Sequence, residues 1–479
     1  MAPSEDQDSQ ARAQRAPRKG SRVRILGPVL TALSLAGIAL GTLLAAPDLR
    51  RQVAETPLWC LVCGDVGLTD AIQNIFFFVP LGISLSLLGL RWRRAVLIGA
   101  LVAVTVELLQ LFFVAGRDAS LSDLITNTLG TALGAGALEA IRASGFPAPT
   151  AARRLLLSTV GAVAALWALG AWLLAPDVGS EPWIAVIKPS VTDHTTYPGP
   201  VDSVLVGGEA VRGTTVLSRG VVEEYARTTL TVALRMAAPG PRQHGALLLV
   251  GRSGEGWSGP PRAGGAPLPD DAQLVIGRTY ARSGPDRPSP DHLSPTRWRE
   301  PGDRRQLLVA ATQSGSAKVT FRIRASRLRL QPLRFYAARA FVAPAGAPIS
   351  LDITRTRRDV RISGQVGDLS YQSQQELGPQ WLLALVSPIP GWAGPEWTAM
   401  AFLWVAGGFG VAGLAAARAQ ASGARSGRLA PGAWAPILAL AIWMSVVNLI
   451  AGYPAVPVVG WVMCALGVAG GALIGRRKE

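Results

Sequence analysis

Apolar and polar positions divide this chain into two kinds of segment. Eight runs of about 20 apolar residues lie near 25–46, 71–90, 95–115, 121–141, 155–175, 397–417, 432–452 and 455–475. That is the length needed to cross a hydrocarbon core of roughly 30 Å. Between the fifth and sixth runs the period changes. Leu230, Val232, Leu234 and Met236 alternate with Thr229, Thr231, Ala233 and Arg235. Val319, Phe321 and Ile323 alternate with Thr320, Arg322 and Arg324, and Ile349, Leu351 and Ile353 with Ser350, Asp352 and Thr354. Such alternation predicts half-buried strands. Shorter apolar runs near 246–250, 272–277, 306–311, 328–330, 360–362 and 381–386 predict more of them, and the Gly/Pro/Ser/Asp-rich stretches 251–271 and 282–303 predict long loops. With no helical pattern evident there, this region reads as an all-β sandwich or jelly roll.

The expected fold class is a polytopic α-helical membrane protein of about eight spans with an inserted extracytoplasmic β-sandwich. Residues 1–24 form a polar, basic, disordered tail; 25–175 a five-span membrane domain; 176–394 the β domain; 395–479 three further spans. The first run is longer than the apolar core of a signal peptide and has no A-x-A site before Pro47, so it reads as an uncleaved anchor.

Charge supports this division. Charged residues make up 16% of the chain, below the roughly 25% of a soluble protein, and mean hydropathy is +0.29. The formal net charge of +16 would suggest nucleic acid in a soluble chain, but no zinc-finger or basic-zipper pattern accompanies it. The basic residues instead sort by loop. Eighteen of them flank one side of the expected spans: six in the tail, then Arg91, Arg93 and Arg94, then Arg142, Arg153 and Arg154, then Arg418, Arg425 and Arg428, then Arg476, Arg477 and Lys478. The short loops of the other side hold only Arg50, Arg51 and Arg117. The positive-inside rule then predicts an inner-membrane protein with both termini cytoplasmic and residues 176–394 outside.

Within the second, third and fourth runs lie Asp70, Asn74, Glu107, Gln110, Asp123 and Asn127. Polar groups in apolar spans are costly and mark functional candidates. Their spacings of three and four place each pair on one helix face. Glu107 falls about eight residues, or roughly 12 Å, before its run ends, and Arg117 and Asp118 occupy the short turn that follows. All of these residues therefore lie in one leaflet. They can form a ligand-facing pocket, or they can be helix–helix glue. Gly130-x-x-x-Gly134 predicts close helix packing, and Pro80 with Gly82 predicts a kink or loosening of the second helix.

Asp70-x3-Asn74-x5-Pro80-x-Gly82, Glu107-x2-Gln110, Gly116-Arg117 and Asp123-x3-Asn127-x2-Gly130-x3-Gly134 resemble the VanZ-like family of bacterial membrane proteins, over about residues 30–142. The resemblance implies a cell-envelope role and a link to low-level tolerance of the glycopeptide teicoplanin. Residues R-T-T-L-T-V-A-L-R-M and W-L-L-A-L-V-S-P resemble, more weakly, the concanavalin A-like lectin/glucanase domain, which implies carbohydrate binding by residues 176–394. The last three spans resemble nothing.

The remaining chemistry is sparse. Cys60 and Cys63 form a lone C-x-x-C in the first outer loop. It suits a disulfide on an oxidising face, a metal site with partners elsewhere, or redox chemistry; no cofactor can be named. Cys464 reads as a packing residue. His194, His244 and His292 are scattered. Sandwich glucanases need closely alternating carboxylates; Glu223 and Glu224 are adjacent, so on a strand they would face opposite ways, and Asp352 is alone on its strand. The β domain thus reads as a binding module rather than an enzyme, with Trp257, Trp298 and Tyr280 as candidates for stacking on sugars. The expected partners are membrane lipid and an envelope glycan or lipid-linked head group. Two alternatives stay open: an enzyme using Glu107 and Asp123 as acid and base with Arg117 on a phosphate, and a transporter.

Overall fold

The structure is a computed structural model that describes residues 21–43, 67–113, 120–143, 149–178, 182–188, 197–238, 246–252, 306–313, 316–321, 323–331, 333–338, 340–387, 398–425 and 434–476. The chain divides into two compact units, residues 1–63 with 70–146 and residues 64–69 with 147–479.

The first unit is helical. Its helices are α1 (Ser21–Leu43), α2 (Gly67–Leu87), α3 (Trp92–Phe113) and α4 (Leu121–Ala143). Helix α2 continues through Pro80. It stops at Gly89, which adopts φ +89°. There the Gly89 N–H donates to Ser86 O (3.0 Å) and the Leu90 N–H to Leu85 O (3.3 Å), the paired closure that glycine permits at a helix C-terminus. The core is made of Ile38, Phe78, Leu81, Leu85, Ala95, Ala103, Val106 and Ala135. Large apolar side chains such as Leu97, Leu108, Phe112 and Phe113 are exposed on the outside, as suits helices solvated by lipid.

In the second unit α5 (Pro149–Leu173) leads into twelve described strands. One antiparallel sheet has the order β4 (Thr214–Leu217), β1 (Trp183–Ile187), β6 (Ala246–Arg252), β7 (Gln306–Gln313), β8 (Ser316–Phe321), β9 (Arg334–Ala337). The other has the order β12 (Leu369–Glu376), β11 (Asp359–Val366), β10 (Pro348–Thr356), β5 (Thr229–Ala237), β2 (Val201–Val206), β3 (Glu209–Ala210). The period-two pattern is realised in β5, where Leu230, Val232, Leu234 and Met236 are buried, and in β10, where Ile349, Leu351 and Ile353 are. These pair directly: Ile349 lies opposite Met236, Leu351 opposite Leu234 and Ile353 opposite Val232.

Three expectations for this region fail. Glu223 and Glu224 are not on a strand but on helix α6 (Arg219–Arg227), capped by Ser218, whose side chain accepts from the Val221 N–H. An Arg219–Glu223 pair one turn apart (2.9 Å) supports it. The run at 328–330 is not a strand either; it follows a 3-10 turn (Arg324–Leu328) that ends with Arg329 at φ +57°. The apolar run at 381–386 lies in the 3-10 segment Pro379–Val386, where Trp381 is buried and its Nε1 donates to Glu376 O (2.9 Å). The expected loop at 251–271 begins as strand, since β6 runs to Arg252; its remainder, the run at 272–277 and the loop at 282–303 fall outside the described residues.

The chain closes with α7 (Thr398–Ala401), α8 (Leu403–Arg425), α9 (Ala435–Ala451) and α10 (Val458–Arg476). Helix α5 packs with these, around Trp167, Phe402, Phe409, Leu440, Met444 and Cys464. The indole of Trp167 donates to Asn448 Oδ1 (3.0 Å), and Asn448 Nδ2 donates to Pro454 O (2.8 Å). The buried polar groups of Trp167 and Asn448 thereby have partners.

Four helical stretches among the described residues are long and apolar enough to cross a membrane: Leu26–Leu43, Gly67–Leu87, Trp92–Phe113 and Thr150–Leu173. The apolar parts of α9 and α10 are shorter, Ala435–Ala451 and Val458–Ile474.

Candidate functional site

The polar residues of the first unit are organised by a seam between α2 and α4. At Gly82 a β-carbon would collide with the Thr131 carbonyl oxygen, at Gly130 with that of Ile75, and at Gly134 with that of Val79. Gly99 of α3 meets the Thr131 side chain in the same way. Position numbers rise together along the seam, so α2 and α4 run parallel, backbone against backbone. Pro80 lies outside this contact, on the exposed side of α2.

About two turns before the glycines the same approach brings side chains within reach. Asn74 Nδ2 donates to Asp123 Oδ1 at 2.7 Å. The start of α4 sets Asp123 in place for this bond. Ser120 caps the helix: its Oγ accepts the Asp123 N–H at 3.0 Å. In the usual capping box the third residue's side chain would return the bond to the cap N–H. Here the Ser120 N–H donates to Glu107 Oε2 instead, at 2.9 Å. Glu107 of α3, Ser120, Asp123 and Asn74 thus form one chain of bonds across three helices. Ser120 is the residue that sequence reasoning missed. The S-x-x-D spacing before an apolar run was its signal.

Two further groups are buried beside this chain. Gln110, one turn along α3 from Glu107, donates through Nε2 to Thr42 O (2.9 Å), a carbonyl in the last turn of α1. Its Oε1 is buried with no hydrogen-bond partner among the described residues. Asn127, one turn below Asp123, is 2% exposed, and its Oδ1 likewise has none. Buried acceptors without a donor are rare and each needs an explanation. Asp70, in the first turn of α2, is exposed. Arg117, Asp118, Cys60 and Cys63 lie outside the described residues.

Acceptors outnumber donors here: two carboxylates that already accept from Asn74 and Ser120, and two amide oxygens with no partner among the described residues, against the single Nδ2 of Asn127. That set suits a ligand rich in N–H or O–H donors. A separate groove of about 350 Å³ between α1 and α3 is lined by Leu35, Ile38, Leu43, Ile98, Val102 and neighbouring apolar residues, with Thr105 as its one polar side chain. It offers nothing to orient a polar ligand. Among the described residues no three His, Cys, Asp or Glu side chains gather as a metal site.

The β region adds no comparable cluster. Asp352, the one carboxylate on β10, pairs with Arg235 on the neighbouring strand (2.9 Å), and Glu223 pairs with Arg219. His194, His244, His292, Trp257, Trp298 and Tyr280 lie outside the described residues. No curated protein and no solved structure matches this chain. Residues 33–142, which hold α2, α3, α4 and nearly all of the polar cluster, match the VanZ/LLP1 family. With the four apolar helices, that match marks the chain as a membrane protein with a VanZ-like region.

Proposed function

We propose that this is a multi-pass protein of the bacterial inner membrane that serves the cell envelope, and that its VanZ-like region holds a donor-bearing ligand, such as an amine- or hydroxyl-rich lipid head group, between α2, α3 and α4. The observation that carries this reading is the pair of orphaned acceptors, Gln110 Oε1 and Asn127 Oδ1, beside Glu107 and Asp123. A cluster built only as glue would pair its buried groups with one another. In the fuller reading the chain has eight spans and residues 176–394 form an extracytoplasmic lectin-like domain that binds an envelope glycan. The family likeness adds a part in tolerance to teicoplanin.

Glu107→Gln tests the site. It keeps one acceptor oxygen for the Ser120 N–H and removes the charge. Membrane accumulation should stay within about twofold of wild type, since a single retained hydrogen bond is worth about 1 kcal/mol, while teicoplanin tolerance should fall to the level of a deletion strain. Wild-type tolerance in this variant would return Glu107 to a packing role. Topology has its own check. Cysteines introduced at 148 and 423 should react with an impermeant reagent only after lysis, and one at 260 in intact cells. The reverse pattern would overturn the assignment based on 18 basic residues against 3.

A further inference from the structure

The second unit buries a cation that has no carboxylate partner among the described residues. Strand β10 points Ile349, Leu351 and Ile353 inward, and the next inward position is Arg355, 3% exposed. Its guanidinium stacks over Tyr225 at 4.9 Å and Phe321 at 5.6 Å. Among the described residues it pairs with no carboxylate. Aromatic faces attract a cation, but a desolvated charge still calls for a counter-ion.

Two more arginines stand at the ends of α5 and α9. Arg324 lies over Trp172, in the last turn of α5, at 5.6 Å, and its backbone N–H donates to Ala175 O (3.0 Å). Arg357 rests against Gly452, where a β-carbon would stand 3.2 Å from Arg357 Cδ. Neither is paired with a carboxylate among the described residues. The acidic group nearest in the chain to Trp172, Asp177, is held by Arg327 (2.8 Å). All three guanidinium groups act on the hydroxyl of Tyr453, drawing its pKa down while burial pushes it up to about 12. That hydroxyl donates to Ala171 O at 2.9 Å.

Helix dipoles explain part of this. Helices α5 and α9 both end here, and a helix C-terminus carries roughly half a negative charge. Two of them offset about one of three positive charges. What is left is positive charge that opens to solvent at Arg324 and Arg357, a place that suits an anion. The location says which kind. Thr150–Leu173 is apolar and long enough to cross a membrane, so its end lies at head-group level, where Trp172, half exposed, is the usual interfacial side chain.

We propose that Arg324, Arg355 and Arg357 form a binding site for a phosphate group, supplied by the head group of an anionic phospholipid. The site rests on α5 crossing the membrane and not on any ligand at Glu107 and Asp123, so either can fail alone. Guanidinium forks grip phosphate bidentately. The bound phosphate would fasten the β region to the lipid surface where α5 enters it.

The test uses the full-length protein in phosphatidylcholine nanodiscs, with increasing fractions of phosphatidylglycerol. Native mass spectrometry reads bound lipid, and melting reads stability. Phosphatidylglycerol should be retained over phosphatidylcholine and should raise the melting point by several degrees. Arg324→Gln and Arg357→Gln change side chains with solvent access and leave Arg355 stacked. Each should weaken phosphatidylglycerol retention about tenfold with an unchanged melting point in pure phosphatidylcholine. Millimolar inorganic phosphate serves as the second arm. Stabilisation by phosphate alone, lost in both variants, would support the site and assign it to a soluble anion. Equal retention of the two lipids with no response to phosphate, or wild-type retention in both variants, would overturn it.

Discussion

Gly134→Val is expected to strip the membrane of folded protein, whereas Gly136→Val, two residues along the same helix, should accumulate as wild type. The difference is one of space. A β-carbon at Gly134 runs into the Val79 carbonyl oxygen, and those at Gly130 and Gly82 meet Ile75 and Thr131 in the same way, while nothing lies within 4 Å of a β-carbon at Gly136. The obstacle at Gly134 is backbone, which cannot rotate aside as a side chain can. Overpacking of this kind costs about 1–3 kcal/mol, and obstruction by the α2 backbone argues for the upper end. About 3 kcal/mol is on the order of a hundredfold in the folded-to-unfolded ratio, a large share of a typical stability. Separating α2 from α4 also draws Asn74 away from Asp123, so the polar cluster would be lost with the seam. Detergent-solubilised monodisperse protein, followed by fluorescence-detected gel filtration, checks both variants. Equal yields would mean that α2 and α4 do not meet backbone to backbone.

Much of this seam was legible in the chain, but only one side of it. Gly130-x-x-x-Gly134 announces a close helix contact; nothing in the sequence says that Ile75 and Val79 supply the opposing carbonyls, because a backbone partner has no side-chain signature. Asp123 and Asn74 were each visible as polar residues in apolar runs. Their bond depends on the parallel register of α2 and α4, which is a tertiary fact. Strand β10 shows a subtler gap. Its alternation predicts that the position after Ile353 on the inward face is Arg355, yet an arginine there looks like the end of the strand rather than its continuation. Helix α6 is nine residues long with only Val221 and Tyr225 buried, too few apolar positions to show a helical period. The cap at Ser218 and the Arg219–Glu223 spacing favour a helix, and over nine residues those local bonds outweigh β propensity. The segment Pro379–Val386 was misread for a different reason. Six apolar residues in a row carry no period, and burial of Trp381 and Leu385 needs only a tight turn.

The claim that the α2–α3–α4 cluster binds a ligand is tested most directly at Asn127. Neither its Oδ1 nor its Nδ2 has a partner among the described residues, so as glue it holds nothing. Replacing a buried, unsatisfied polar group with an apolar one of the same shape is neutral or stabilising. Asn127→Leu should therefore melt at the wild-type temperature or a few degrees higher and accumulate normally. If the orphaned oxygen is there to meet a donor on the ligand, the same variant should lose function, since a site built to hydrogen-bond its ligand discriminates steeply when that bond is gone. The measurement is the teicoplanin concentration that inhibits cells expressing Asn127→Leu at wild-type membrane levels, taken beside the melting point of the purified protein. The result predicted is a protein at least as stable as wild type with tolerance reduced to that of the deletion strain; a stable Asn127→Leu protein that sustains full tolerance would contradict it.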